Sequence, residues 1–203
     1  MIKSKNFIFI LLSFIFLFKA AYGESALDIK EDDFVIGNEN ASITIIEYAS
    51  LSCSHCADFH VNTLEDLKKE YVDSGKVKLV FRDYPFNYPA LLGSMVLRCV
   101  PGEFRYEYMN ALFELQSSWV NRENSKTIEE LFKIMQSGGM AKDEFEACIY
   151  NTEVENEILQ GVIEAQNALN IKSTPSFLIN GNLIEGNKSI KEFRQIIDKI
   201  LSE

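Results

Sequence analysis

From Ser42 to Tyr48 the chain reads SITIIEY, a run of β-branched and apolar residues that predicts a buried strand. The period then changes: Ala57, Leu64, Leu67 and Tyr71 recur at helical spacing, and Asp73-Ser74-Gly75 closes the helix. Lys76 to Arg82, KVKLVFR, predicts a second strand, so the chain opens as a βαβ unit with a right-handed crossover, after a short polar stretch holding Asp32, Asp33 and Gly37-Asn38. From Pro85 to about Thr152 the pattern is helical throughout, broken at Pro101-Gly102 and Gly138-Gly139. Leu91, Met95 and Cys99 form one stripe beside Leu92, Val96 and Val100; Phe104, Tyr108, Leu112 and Leu115, then Ile128, Leu131 and Met135, form others. Such stripes predict helices packed on one another. A longer helix follows through Val154, Ile158, Val162, Ala165 and Leu169. Ser176 to Ile179 is then a strand, Asn180-Gly181-Asn182 a tight turn, Leu183-Ile184 the return, and Ser189 to Leu201 a last helix with Ile190, Phe193, Ile197 and Ile200 inward. Strands at both ends with helices between them predict an α/β fold with a helical insertion, over residues 24–84 and 153–203 for the first and 85–152 for the second.

Composition narrows the function. The 203 residues are 47% hydrophobic and 25% charged, which excludes disorder, collagen and coiled coil. A net charge of −10 leaves no basic surplus to neutralise phosphates, so nucleic acid is not an expected partner. Lys3 and Lys5 precede an apolar run from Phe7 to Phe18 interrupted only by Ser13, and Ala21-Tyr22-Gly23 places small residues before a cut. That is a secretory signal pattern over residues 1–23, too short for the ~20 apolar residues of a membrane-spanning helix. Three of the 20 basic groups and none of the 30 acidic ones lie before Glu24, so cleavage leaves a more acidic chain. Export also means that the four cysteines meet oxidants, under which disulfides persist.

Cys53-Ser54-His55-Cys56 sits where the first strand gives way to the helix. The unsatisfied N–H groups and positive dipole end of that helix favour a thiolate on Cys53, and His55 adds a charge or a hydrogen bond. A sulfur so stabilised is a good leaving group, which makes the Cys53–Cys56 disulfide an expected oxidant.

These residues resemble the DsbA-like thiol:disulfide oxidoreductases of the bacterial periplasm. The resemblance rests on Cys-x-His-Cys after a strand, on Thr174-Pro175-Ser176-Phe177-Leu178-Ile179-Asn180-Gly181 near the end, and on the signal segment, and it covers nearly all of the chain after Gly23. It implies a thioredoxin fold with an inserted all-helical domain and a periplasmic monomer without cofactor or metal. Its substrates would be reduced secreted proteins, and a membrane partner of DsbB or related type would reoxidise it. It also implies that Pro175 is cis and, with Thr174, faces the dithiol, and that Glu47 is a buried acid exchanging protons with Cys56; on its own Glu47 also reads as a surface glutamate. Ser54 departs from the family's usual proline, a change able to move the potential by tens of millivolts. Cys99 and Cys148 read as two buried thiols or, in an oxidising compartment, as a structural disulfide; the dithiol reading pairs them with each other. Two other functions use the same residues: a disulfide isomerase or reductase, and a copper(I) metallochaperone. Cys56 and His60 lie one turn apart, so Cys53, Cys56 and His60 suffice in principle for zinc or copper(I), although no fourth ligand accompanies them and His60 reads as a solvated helix residue. Trp119 reads as packing.

Overall fold

A computed structural model describes residues 28–30 and 33–203; the predicted signal segment lies outside them. Strand β1 (Phe34–Gly37) precedes β2 (Ile43–Ala49), helix α1 (Ser54–Asn62), the short α2 (Leu64–Leu67) and a π-helical turn (Lys68–Val72) that leads into β3 (Val77–Asp83). The single helix predicted after the first strand is therefore broken at Thr63, whose carbonyl still accepts from Leu67 N. Helices α3 (Tyr88–Cys99), α4 (Gly102–Glu114), α5 (Gln116–Trp119), α6 (Asn124–Ser137) and α7 (Lys142–Ile149) form the insertion, and α8 (Thr152–Leu169) returns the chain to β4 (Ser176–Ile179), β5 (Asn182–Glu185) and α9 (Ile190–Leu201). The breaks at Pro101-Gly102 and Gly138-Gly139 fall between helices as the sequence requires.

The sheet order is β1-β3-β2-β4-β5. β2 runs parallel to β3 and antiparallel to β4, while β1 and β5 close the edges antiparallel to β3 and β4. Strand β1 was not predicted: its four residues FVIG sit in a polar stretch and are only partly buried. Asn180 and Gly181 both take positive φ, 46° and 83°, the turn conformation that an Asn-Gly pair adopts most readily.

Alternation along β2 sorts the sheet into two faces. Ile43, Ile45 and Ala49 point with Leu79, Phe177 and Phe193 into a large core that continues through Leu92, Phe113, Trp119 and Met135 of the insertion. Ile46 and Tyr48 point the other way, onto Val80, Ala165, Ile171 and Leu178 beneath α8. The insertion and the sheet therefore share one continuous core. Helix α9 joins it through Phe193 and Ile197, and its start is fixed by a capping box in which Ser189 and Glu192 bond reciprocally.

Candidate active site

The turn after β2 delivers Cys53 to the N-cap position of α1 with extended dihedrals, φ −83° and ψ 121°. Its N–H donates to Ser50 O at 2.9 Å, and its carbonyl accepts from Ala57 N at 3.0 Å as the first helical bond. Cys53 is half-buried, Cys56 one turn on is fully buried, and both are free thiols. The Thr174–Pro175 peptide is cis, and Cys53 Sγ lies 3.4 Å from Thr174 O, so the loop before β4 closes over the first cysteine. That loop is held by Tyr84, whose hydroxyl donates to Ile171 O, and by Ser176, whose hydroxyl donates to Ser173 O.

The two sulfurs differ. A hydrogen bond from the Cys56 thiol, with smaller contributions from the Thr174 side chain and from the backbone N–H groups of Cys56 and His55, outweighs burial and brings Cys53 down to about 5. Burial above all, then the bond to Cys53 and the negative charge of Glu47, pushes Cys56 far up. Cys53 is thus the sulfur that carries charge and Cys56 the one that keeps its proton. Ser54 and His55 are both exposed, and His55 acts on Cys53 through its backbone.

Glu47 follows Ile43 and Ile45 on the core face of β2, opposite Phe81 on one neighbour and Phe177 on the other, and is completely buried. Its carboxylate accepts from His60 Nε2, at 3.1 Å and 3.0 Å to the two oxygens. His60 is the correction here: it is 6% exposed, not solvated. Its ring stacks on Phe113 of α4 at 3.9 Å between centroids, with Phe59 and Phe81 edge-on. The face of α1 that carries Cys56 and His60 is covered by the insertion, which helical spacing alone cannot reveal. His60 Nε2 is engaged by Glu47 and so is not free to join the two sulfurs around a metal.

The turn itself is fastened from the insertion, which sequence reasoning missed. Gln116 Nε2 donates to Leu51 O at 2.9 Å and to Cys53 O at 3.0 Å. Ser52 Oγ donates to Asn87 Oδ1 at 3.0 Å, the same oxygen that caps α3 by accepting from Ala90 N. The Asn-Tyr-Pro start of α3 is a cap signal legible in the sequence; Gln116 carries none. Cys99 and Cys148, ending α3 and α7, are joined by a disulfide across a Cα–Cα distance of 6.2 Å; Cys148 is buried, while Cys99 is exposed, contrary to the expectation that both are buried.

A family model described as thioredoxin matches residues 30–199. The crystal structure of Wolbachia pipientis alpha-DsbA1 superposes with a TM-score of 0.82 at 32% identity, covering 88% of this chain and 94% of that one. The chain belongs to the DsbA-like thiol:disulfide oxidoreductases. A putative protein-disulfide oxidoreductase of Rickettsia felis is 29% identical over 177 residues, 86% of this chain but 62% of the relative, so the chain spans less than two thirds of that protein's length. Disulfide bond formation protein D of Bacillus subtilis is 24% identical, over 82% of this chain and 76% of its own. This DsbA-like chain has the thioredoxin fold with its helical insertion, and no helix among the described residues is long and apolar enough to cross a membrane.

Proposed function

We propose that the chain oxidises pairs of thiols in exported proteins through a Cys53–Cys56 disulfide. The observation that carries this reading is the asymmetry of the dithiol: a half-exposed Cys53 held near 5 beside a buried Cys56 held protonated. A substrate thiolate attacks Cys53 Sγ of the oxidised protein; the Cys53–Cys56 bond breaks, a Cys53–substrate bond forms, and Cys56 takes up a proton. Glu47, whose negative charge acts on Cys56, is the buried group proposed to relay that proton from solvent. A second substrate thiolate then attacks the substrate sulfur, releasing the substrate disulfide and Cys53 as a stabilised thiolate. The two electrons gained leave through an external acceptor, for which a quinone-linked membrane partner of DsbB or related type is the expected class.

Thr174 and the cis Pro175 supply the wall against which the attacking chain lies, with Ser54 and His55 exposed beside it. The signal pattern of residues 1–23 supports a periplasmic site of action. The test is oxidation of a reduced two-cysteine peptide by the oxidised protein. Wild type should convert it stoichiometrically, and Cys53→Ser should leave it reduced. Full activity in Cys53→Ser would end the reading. The equilibrium against glutathione then ranks oxidase against reductase: a potential well above the ≈ −270 mV of thioredoxin is expected.

A further inference from the structure

We infer that Gln116, on the insertion and distant in sequence from the dithiol, is a positioning residue for Cys53: its amide clips the two carbonyls that set the orientation of the cysteine. The inference rests on the dithiol-exchange reading above.

The geometry is specific. One NH2 group spends its donors on Leu51 O and Cys53 O, at 2.9 Å and 3.0 Å. These carbonyls belong to the peptide planes that begin at Leu51 and at Cys53, so the clip fixes the plane leaving Cys53 and the plane two residues before its end. Cys53 sits at the N-cap with ψ 121°, the setting that turns its side chain back toward the N–H groups of His55 and Cys56. A rotation of the Cys53–Ser54 plane would swing Sγ away from those donors. Within the thioredoxin unit the plane has one restraint, the bond from Ala57 N to Cys53 O at 3.0 Å, and Gln116 adds the second donor to the same oxygen. Leu51 is fully buried, and its carbonyl has Gln116 as its hydrogen-bond partner. Behind the clip, Trp119 and Gly93 back the turn: a Cβ added at Gly93 would meet Trp119 at 3.0 Å and Leu51 at 3.1 Å, so α3 and α5 approach it as closely as a glycine allows.

The consequence concerns charge at Cys53. With both carbonyls engaged and the plane fixed, the sulfur stays within reach of the α1 N-terminus in both the mixed-disulfide and thiolate states. Released from the clip, the turn relaxes, Leu51 O loses the Gln116 donor and Cys53 O keeps only Ala57 N; the relaxation and the less compensated carbonyl charge both disfavour the thiolate.

The experiment compares Gln116→Met, which keeps the length and loses the donors, with Gln116→Asn, which keeps the amide but falls short of spanning both carbonyls. Thr127→Val serves as control: Thr127 is buried on α6 and bonds Asn121 O, away from the turn. Each full-length protein is read for melting temperature, for thiolate absorbance against pH, for the glutathione equilibrium and for peptide oxidation. Gln116→Met should raise the thiolate midpoint by about one pH unit and shift the equilibrium about tenfold toward the disulfide form. Gln116→Asn should fall between it and wild type, while Thr127→Val lowers the melting temperature alone. If both Gln116 variants lose melting temperature while their thiolate midpoint and equilibrium remain those of wild type, Gln116 is only structural and the inference is overturned. Failure of the wild-type protein to oxidise the peptide would instead remove the underlying reading, and the thiolate midpoint would still report on the clip.

Discussion

At the scale of single residues, the charge on Cys53 has a thermodynamic signature with a defined sign. Its thiol is lowered from 9.0 to about 5 in the folded reduced protein, so the thiolate's contribution to stability is complete above about pH 9 and is lost as pH falls through about 5. The oxidised protein has no such titration. The melting temperature of the reduced form relative to the oxidised form should therefore rise between pH 5 and pH 8.5, by scanning calorimetry; an unchanged gap would count against thiolate stabilisation. The Glu47–His60 pair makes a second prediction. Both side chains are 1% exposed or less, so His60→Leu leaves an uncompensated carboxylate among Phe59, Phe81 and Phe113 and should cost about 3–5 kcal/mol in urea unfolding. Glu47→Leu combined with His60→Leu should recover most of that loss, while slowing dithiol exchange if Glu47 serves Cys56.

At the scale of elements, the two cysteine pairs occupy opposite ends of helices. Cys53 caps the N-terminus of α1, where N–H groups face it, whereas Cys99 and Cys148 lie in the last turns of α3 and α7, where carbonyls face them. Thiolates are disfavoured there, so neither sulfur is a good leaving group. Graded reduction should therefore open Cys53–Cys56 first and leave Cys99–Cys148 closed, by mass spectrometry of alkylated peptides. With 49 residues of separation, replacing Cys99 and Cys148 by alanine should cost about 4 kcal/mol on the chain-entropy account. The elements carrying this chemistry were legible: Ser176–Ile179 was predicted to the residue, because a β-branched and aromatic run followed by Asn-Gly leaves little choice, and Cys-x-x-Cys after a strand marks a helix start. What escaped was long-range. Phe34–Gly37 is a strand only because β3 pairs with it, and His60 is buried only because Phe113, 53 positions away, lies over it. Glu47 was half-legible, since an acid in register with Ile43 and Ile45 must face wherever they face.

At the scale of the molecule, the insertion and the thioredoxin unit are bound by the core that runs from Phe177 and Phe193 to Trp119 and Phe145. Gly93 is a tight point of that contact, and Gly93→Val should lower the melting temperature and the peptide oxidation rate together, because its side chain would press on Leu51 at the base of the dithiol turn. Loss of stability with an unchanged rate in the folded fraction would show that the turn tolerates the displacement. Against this dense support, Ser54 and His55 stand out as exposed, with no part in the core. Side chains at these two positions can therefore be exchanged without disturbing the core. The dithiol's chemistry can thus be retuned in single substitutions between the cysteines, each changing the potential while leaving the fold intact.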